Sequence, residues 1–468
     1  MSISQHPLYE RFVAAGQDHV LAFYDELSES SRAQLDRQLE SLDLDELSTL
    51  VRREHVAVDW ADLARRALPP VSYPSAHPDA DAITPDAARA AGESALRQGQ
   101  VAAIIVAGGQ GSRLGFEHPK GMFSIGPVSG HSLFQILIEK VVSTARRYGR
   151  PVPLYVMTSP ATHEETVQYL DANQRFGLAE DDLQVFCQGT MPAVDAQTGK
   201  LLLAAKDSLA LAPDGHGGML AALQRTGALA HARRRGIEMF SYVQVDNPLA
   251  QLCHPQLIGY HLLAHSDMTT QVVRKQDPLE RVGNVVMVDG QMRIIEYSDL
   301  PEDSARVRNA DGSLRIWAGS IAVHVFRLGF LEQMVQQSEA LEFHVAHKKV
   351  AFVDARGALQ TPAQPNAIKF ERFIFDLLPW ARQPIVVEGR SEEIFAPVKN
   401  AEGAATDTPS TTRSALVRLH THWLQQAGVT VTPGTLVELS PLWAVDAKHA
   451  AERVTLPWTI DQPVFLTD

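Results

Sequence analysis

Residues 106–121, VAGGQGSRLGFEHPKG, combine closely spaced glycines with two cationic side chains. Glycine lets backbone N–H groups approach a ligand closely, and Arg113 and Lys120 would add positive charge. A cation roughly 4 Å from a phosphate charge contributes about 4 kcal/mol at an effective dielectric constant of about 20, and about 1 kcal/mol in bulk water. The pattern therefore predicts a phosphate-binding loop inside a cleft. The alternative is an ordinary strand-to-helix turn with cations on its surface.

Two common glycine-rich phosphate motifs do not fit this loop. The dinucleotide-binding pattern G-x-G-x-x-G is met at Gly109 and Gly111, but Leu114 takes the third glycine position. The loop of P-loop nucleoside triphosphatases requires lysine after its last glycine, whereas Gly111 is followed by Ser112. What remains is a backbone cradle that binds phosphates or a base.

The elements around the loop predict an α/β sheet. The loop follows VAAIIV, a short apolar run typical of a strand buried on both faces of a parallel sheet. Helix and strand patterns then alternate as LFQILIEKVVSTARRYG, PVPLYVMTS, THEETVQYLDANQRFG, LQVFCQG, GGMLAALQRTGALAHARRRG and MFSYVQVDNP. This alternation predicts a doubly wound sheet, in which ligands bind at the carboxyl ends of the strands. We therefore expect VAGG, MTS, CQG and VDN to lie together.

Strand patterns are denser after residue 270 and predict a mixed or antiparallel extension of the sheet. TTQVVRK and IWAGSIAVHVF are strand-like, and GNVVMVDGQMRIIEYSD predicts a hairpin that turns at Asp289–Gly290. PNAIKFERFIFDLLPWA predicts a helix.

The chain is long enough for about three domains. Residues 1–66 have helical periodicity, and five prolines predict a linker near residues 68–88. We therefore predict a helical N-terminal unit with its linker over residues 1–90. A catalytic domain follows over residues 91–392, and a mixed α/β unit over residues 393–468.

Composition excludes several classes of protein. The net charge of −13 argues against nonspecific nucleic-acid binding. Only two cysteines, Cys187 and Cys253, occur in 468 residues, which argues against a disulfide framework and fits a reducing compartment. The N-terminal residues lack the basic and apolar regions of a signal peptide, and no run of 18 apolar residues predicts a membrane span. We expect a cytoplasmic protein.

Specific stretches over most of the chain resemble the eukaryotic-type UDP-N-acetylglucosamine and UDP-sugar pyrophosphorylases. The glycine-rich loop, which ends in Pro-Lys-Gly, is one of these stretches. Others, in chain order, are CQGTMPAVD, LAPDGHGGMLAAL, VQVDNPLAQLCHPQLIGY, VGNVVMVDG, IIEYSDL, AGSIAVHVF, PNAIKFERFIFD and FAPVKN. The resemblance implies a Rossmann-like nucleotide-diphospho-sugar transferase fold. It also implies Mg²⁺-dependent transfer of uridylyl from UTP to a sugar 1-phosphate, with no protein nucleophile.

The resemblance also implies roles for individual residues. Arg113 and Lys120 would stabilise charge on the leaving pyrophosphate, Gln188 would read the uracil edge, and Asp246 would bind Mg²⁺. The full set implied to bind nucleotide is Val106, Ala107, Gly108, Gly109, Gly111, Ser112, Lys120, Gln188, Gly215, Asp246 and Lys369. The set implied to bind sugar phosphate is His216, Gly283, Glu296, Tyr297, Ser320 and Lys399. No nucleic-acid or membrane partner is expected, and the predicted oligomeric state is a monomer or weak homodimer.

Two residues depart from the family pattern at the implied sugar pocket. His216 replaces the asparagine of PDGNGG, and Ser320 stands where the acetylglucosamine enzymes carry asparagine. N-acetylglucosamine 1-phosphate is the predicted sugar substrate, and glucose or galactose 1-phosphate or a broad specificity is the alternative. A catalytically inactive UDP-sugar sensor is a further alternative, which the presence of Arg113, Lys120 and Asp246 disfavours.

Overall fold

The computed structural model describes residues 6–53, 58–74, 83–337 and 341–468. The chain divides into two compact units, each assembled from separate segments. Unit 1 comprises the described residues of 1–59, 188–219 and 341–374, and unit 2 comprises those of 60–187, 220–340 and 375–468. The division into 1–90, 91–392 and 393–468 remains a prediction.

Unit 1 contains helices from the N-terminal segment and short strands from the two later ones. The helices, the second of which is capped by the Ser28 hydroxyl, are Tyr9–Ala14, Glu29–Glu40 and Leu44–Arg53. The strands are Thr190–Pro192, Val194–Asp195, Leu203–Ala205, Ser208–Leu209, Leu211–Pro213, Phe343–Lys348, Phe352–Val353, Leu359–Gln360 and Ala367–Arg372. Phe12, Leu35, Val194 and Phe370 are fully or almost fully buried in one shared apolar core.

Unit 2 is built around a ten-stranded mixed sheet. Its strands are, in spatial order, Ser72–Tyr73, Ile385–Gly389, Met268–Arg274, Ala318–Arg327, Met239–Gln244, Val101–Val106, Leu154–Thr158 and Leu183–Cys187. The predicted hairpin, Gly283–Val288 with Gln291–Ile295, pairs with the strand Ala318–Arg327. Asp289 and Gly290 form its turn with positive φ angles of 51° and 78°.

Four adjacent strands of this sheet are parallel and end at one edge. Met239–Gln244 pairs with Val101–Val106, which pairs with Leu154–Thr158, which pairs with Leu183–Cys187. Ala102 to Ile105 are completely buried, as a central parallel strand requires. The predicted alternation of strands and helices is confirmed, and so is the convergence of the carboxyl ends of these four strands.

The helices of unit 2 pack on this sheet or follow it in the chain. They are Trp60–Arg66, Pro85–Gln98, Leu133–Tyr148, His163–Ala172, Met219–Arg225, Ala228–Arg234, Pro255–Leu263, Glu302–Ala305, Leu328–Val335, Ser391–Ile394, Pro409–Gln426 and Ala447–Arg453. After Pro409–Gln426 come two short parallel pairs, Thr430–Val431 with Thr459–Ile460 and Val437–Leu439 with Val464–Leu466. No helix of the described ranges is long and apolar enough to cross a membrane.

Three secondary-structure predictions need correction. PNAIKFERFIFDLLPWA is a strand, Ala367–Arg372, followed by a 3₁₀ segment that contains Pro379. The predicted helix GGMLAALQRTGALAHARRRG is two helices, because Gly227 between them has a left-handed φ of 73°. The predicted linker 68–88 already contains the sheet strand Ser72–Tyr73 and the start of a helix at Pro85; its residues 75–82 lie outside the described ranges.

Candidate active site

The glycine-rich loop of unit 2 closes on itself as a compact turn. The Lys120 N–H donates to the Gly109 carbonyl at 3.0 Å, and the Gly111 N–H donates to the His118 carbonyl at 2.8 Å. Between these contacts Ser112–Leu114 forms a 3₁₀ turn, whose first N–H groups have no partner within the turn. Backbone donors at the start of a helical turn are suited to bind an anion.

Position 111 requires glycine because Phe116 lies very close to it inside this loop. A Cβ atom built on Gly111 would lie 2.7 Å from the Phe116 carbonyl oxygen and 2.8 Å from its ring. Both distances are shorter than real Cβ contacts, so any larger residue would open the loop. The loop is also joined to the neighbouring strand end, because the Ser159 hydroxyl donates to the Gly108 carbonyl at 2.7 Å.

Lys120 is the half-buried cation at the end of the loop. Burial lowers the pKa of Lys120, and the positive charges of Lys399 and Arg113 lower it further, whereas Asp246 raises it. The predicted residues Arg113, Lys399 and Asp246 therefore each lie close enough to Lys120 to act on it electrostatically. This is a cluster of three cations around one carboxylate, a suitable environment for polyphosphate.

Backbone hydrogen bonds hold the segment Val398–Lys399 beside both Asp246 and Asp407. The Val398 N–H donates to the Asp246 carbonyl at 2.9 Å, and the Lys399 N–H donates to the Asp407 carbonyl at 2.8 Å. Burial raises the pKa of Asp407, whereas Lys399 lowers it and Asp246 raises it, so Asp407 lies close to both of these predicted residues. Asp407 was not predicted as a site residue. It lies in the left-handed region at φ 58°, which aspartate tolerates better than most residues.

Three of the predicted sugar residues lie together on the antiparallel part of the sheet. Gly283 is directly opposite Ser320 in the strand pairing. A Cβ on Gly283 would lie 3.1 Å from the Glu296 carboxylate and 3.8 Å from the Ser320 Cβ. Tyr297, which follows Glu296, is 50% exposed. The structure thus brings Gly283, Glu296 and Ser320 together at a crowded position, where a Cβ on Gly283 would also lie 2.8 Å from the Ile294 side chain.

A β-bulge next to Ser320 sets the direction of its side chain. The register with the neighbouring strand shifts between Gln271 and Val272, and Ala322 has a left-handed φ of 54°. The Ala322 N–H reaches the Ser320 hydroxyl at 3.4 Å. Bulges of this kind change the direction of side chains beside binding sites.

In unit 1, the predicted residue Gln188 lies beside the PDGHGG segment, which contains the predicted residues Gly215 and His216. Gln188 is buried, and its Nε2 donates to Asp214 Oδ1 and to the Gly215 carbonyl, both at 3.4 Å. Lys369 lies half-buried on the strand Ala367–Arg372 opposite Ala346. Asp214 was not predicted, although it stands inside the quoted motif.

His216 is held by backbone and ring contacts in unit 1. The Ile374 N–H donates to His216 Nδ1 at 3.2 Å, and the ring stacks on Phe373 with centroids 5.2 Å apart. Burial, with the nearby His344, lowers the pKa of His216 to about 4. At neutral pH the ring is therefore uncharged with its proton on Nε2, whereas an asparagine amide would offer both a donor and an acceptor.

Glu438 near the C-terminus anchors the loop that follows Lys120. Its buried carboxylate accepts hydrogen bonds from the Val128 and Ser129 N–H groups, both at 2.7 Å, and from the Ser129 hydroxyl at 2.6 Å. The Arg413 guanidinium donates to the Ser124 carbonyl at 3.0 Å. No local pattern indicated Glu438, because its partners are more than 300 positions away.

Replacing Gly217 by alanine is expected to destabilise the protein by about 1–3 kcal/mol through overpacking. A Cβ on Gly217 would lie 2.7 Å from the Arg372 carbonyl carbon and 2.8 Å from its oxygen. Thermal unfolding followed by circular dichroism should show a melting temperature lower by a few degrees. Gly109→Ala is the control, because its Cβ would meet nothing within 4 Å. Equal melting temperatures for both variants would contradict this packing.

Comparison with known proteins decides the family. Residues 58–447 match the sequence profile of the family described as UTP–glucose-1-phosphate uridylyltransferase. The chain belongs to this family. This match, together with the relatives described next, confirms the predicted resemblance to the UDP-N-acetylglucosamine and UDP-sugar pyrophosphorylases.

Known relatives of this chain can be aligned with most of its length. The human UDP-N-acetylhexosamine pyrophosphorylase-like protein 1 is 38% identical over 440 residues, which are 91% of this chain and 86% of that protein. The Saccharomyces cerevisiae UDP-N-acetylglucosamine pyrophosphorylase is 36% identical over 357 residues, 75% of each chain.

A solved structure is similar over the full length of the chain. It is the uridine diphosphate N-acetylglucosamine pyrophosphorylase of Trypanosoma brucei in complex with an inhibitor. Its TM-score is 0.82 at 27% identity, over 100% of this chain and 99% of that one. The predicted α/β class with a central mixed sheet is confirmed, and the chain is an enzyme of the nucleotidyltransferase class, as predicted.

Proposed function

We propose that the protein transfers uridylyl from UTP to N-acetylglucosamine 1-phosphate, forming UDP-N-acetylglucosamine and releasing pyrophosphate. The observation that carries this proposal is the cluster of Lys120, Arg113, Lys399 and Asp246 beside the glycine-rich loop. Family membership and the pyrophosphorylase names of its relatives support the same reaction.

In unit 2 the proposed chemistry is positioning and charge stabilisation. A phosphate oxygen of the sugar phosphate attacks the α-phosphorus of UTP in line with the leaving pyrophosphate. The N–H groups of the glycine-rich loop bind phosphate oxygens, and Lys120 and Arg113 stabilise the charge that develops on pyrophosphate. Lys399 binds the phosphate of the incoming sugar. Gly283, Glu296 and Ser320 bind the sugar, with the Glu296 carboxylate accepting hydroxyl hydrogen bonds.

In unit 1 the proposed roles concern recognition of the nucleotide and the sugar. Gln188 reads the uracil edge through its amide, and Gly215 presents its backbone to the nucleotide. Lys369 supplies a further positive charge for phosphate. His216 offers Nε2–H as a donor to a hydroxyl of the substrates. The Gln188 side chain is buried and those of His216 and Lys369 are half-buried, which supports a role other than solvation.

Asp246 is the residue that would hold a divalent cation, and Mg²⁺ is the ion we propose. The donor set fits: one half-buried carboxylate at a strand end, with Asp407 in the same charged cluster, leaves most positions to waters and phosphates, as Mg²⁺ prefers. When bound, the cation would neutralise phosphate charge. A cytoplasmic location and a monomeric or weakly dimeric state complete the proposal.

A glucose-type substrate is the second candidate, because His216 and Ser320 both differ from the asparagines of the acetylglucosamine enzymes. His216 presents a single donor, and Ser320 is shorter than asparagine, so each changes the hydrogen bonds available to a sugar. These two substitutions bear on the sugar and leave the phosphate cluster unchanged.

Pyrophosphate release from UTP, measured separately with each sugar 1-phosphate, tests the function. We expect kcat/KM for N-acetylglucosamine 1-phosphate to exceed that for glucose 1-phosphate by about 10-fold or more, the usual effect of a well-recognised substituent. A reversed preference would replace the first candidate by the second. Release with neither sugar, in the presence of Mg²⁺, would overturn the proposed reaction.

A further inference from the structure

In unit 1, Asp214 contacts Gln188, the residue predicted to recognise the uracil edge. Its side chain is 7% exposed and that of Gln188 is 6% exposed. Backbone hydrogen bonds fix its position on both sides: the Asp214 N–H donates to the Gly189 carbonyl at 3.2 Å, and the Asp214 carbonyl accepts from Arg372 N–H at 2.8 Å. Asp214 therefore has little freedom to move away from Gln188.

Two glycines make room for the Asp214 carboxylate. A Cβ on Gly189 would lie 2.5 Å from Asp214 Oδ2, and a Cβ on Gly218 would overlap the same carboxylate. Gly189 and Gly218 are the last residues of CQG and PDGHGG, the two motifs that the sequence placed at the nucleotide site. The glycines thus let the two segments close around one carboxylate, an arrangement that simple turn formation does not require.

The partners of Gln188 define which end of its amide is held. Nε2 donates to Asp214 Oδ1 and to the Gly215 carbonyl oxygen, each at 3.4 Å. An ionised carboxylate and a backbone carbonyl only accept hydrogen bonds. Both partners therefore require the NH₂ end of the amide, and neither tolerates the Oε1 end in its place. The amide is held in one of its two orientations, with Oε1 as the group left to face a ligand.

We infer that Asp214 is a positioning residue that orients the Gln188 amide and so selects a pyrimidine with a ring N–H donor, uracil, over cytosine. The N3 atom of uracil carries a hydrogen that Oε1 can accept, whereas N3 of cytosine is a lone-pair acceptor that would face Oε1 unfavourably. The inference deepens the proposed function and rests on its assignment of Gln188 to the base.

Asp214→Asn tests the inference because asparagine keeps the size and can donate as well as accept. The side-chain amide of the introduced asparagine would then pair with either orientation of Gln188, so that only the Gly215 carbonyl would still favour the original one. Gln188 could then turn its own NH₂ toward N3 of cytosine more readily. Dissociation constants for UTP and CTP, measured by calorimetry, require no turnover. We expect the preference for UTP over CTP to fall by about 10-fold or more, the effect of one correctly paired hydrogen bond.

Asp195→Asn is the matched control. Asp195 is another aspartate of unit 1, and its Oδ1 accepts from the Gln197 and Thr198 N–H groups in a turn, an acceptor role that asparagine retains. We expect it to leave the UTP-to-CTP ratio unchanged. Asp214→Ser, whose smaller hydroxyl also donates and accepts, should reduce the ratio as Asp214→Asn does, and it serves if the asparagine variant does not fold.

The outcomes separate this inference from the proposed function. An equal loss of UTP and CTP affinity, or an unchanged ratio, in folded Asp214→Asn and Asp214→Ser would show a purely structural role and overturn the inference. So would a wild-type protein that binds CTP as tightly as UTP. Absence of pyrophosphate release from a wild-type protein that does prefer UTP would overturn the proposed reaction alone.

Discussion

Replacing Lys120 by alanine is expected to lower kcat for pyrophosphate release by about 10²–10³-fold, with folding intact. Lys120 is half-buried at the end of the glycine-rich loop and shares its environment with Arg113, Lys399 and Asp246. Removing one preorganised donor from developing negative charge costs about 3–4 kcal/mol in a shielded site. The loop itself should persist, because the contact to Gly109 uses the Lys120 backbone N–H.

Steady-state kinetics with UTP as the varied substrate, together with a melting curve, check this expectation. Lys448→Ala is the control, since Lys448 is an exposed lysine on the helix Ala447–Arg453 of the same unit. Turnover of the Lys120→Ala variant within about 3-fold of wild type, a difference of less than 1 kcal/mol, would remove Lys120 from the chemistry. A protein that bound UTP but gave no turnover even as wild type would support the inactive-sensor alternative.

The second large effect is expected for Asp246→Asn. Asparagine preserves the shape, and the backbone carbonyl that accepts from Val398 N–H is retained, so the strand end should keep its geometry. The negative charge that would hold Mg²⁺ is lost, and the surrounding cations Lys120 and Lys399 lose their counter-charge. We expect kcat to fall by about 10³-fold and the Mg²⁺ concentration needed for half-maximal rate to rise.

Initial rates over a Mg²⁺ titration measure both quantities. The control is Asp311→Asn, because the exposed Asp311 accepts hydrogen bonds from Ser313 through an oxygen that asparagine also has. If the Asp246→Asn variant has the Mg²⁺ dependence of the wild type, Asp246 does not bind the cation. If activity is abolished together with cooperative unfolding, the effect is structural.

Much of the sheet around the glycine-rich loop could be predicted because its strands are short, apolar and buried on both faces. VAAIIV has no amphipathic alternative, and the glycines after it end the strand. The segment PNAIKFERFIFDLLPWA was predicted wrongly because its apolar spacing suits both periods. Its strand pairs with residues 343–348 and 194–195, and such distant partners are not visible in a local pattern.

The candidate site shows the same difference between residues marked by a local pattern and residues whose contacts are distant in the chain. Residues within recognisable motifs, such as Lys120, Gln188 and Asp246, could be named from the sequence, and their roles remain predictions. Asp214 and Asp407 were missed because their significance depends on what they contact. The bulge at Ala322 likewise follows from strand register, which a single sequence does not specify. Chemistry-bearing residues were thus easier to recognise than the residues that hold them in place.

Glu438 has a consequence for the order in which the protein is made. Val128 and Ser129 donate three hydrogen bonds to the Glu438 side chain, which is synthesised about 300 residues later. While the ribosome is still producing the middle of the chain, the segment after Lys120 lacks this anchor. A nascent chain, or a product truncated before residue 438, therefore contains the whole glycine-rich loop but lacks the contacts that hold the segment following it. Anchoring of this segment must wait until the strand Val437–Leu439 has been made.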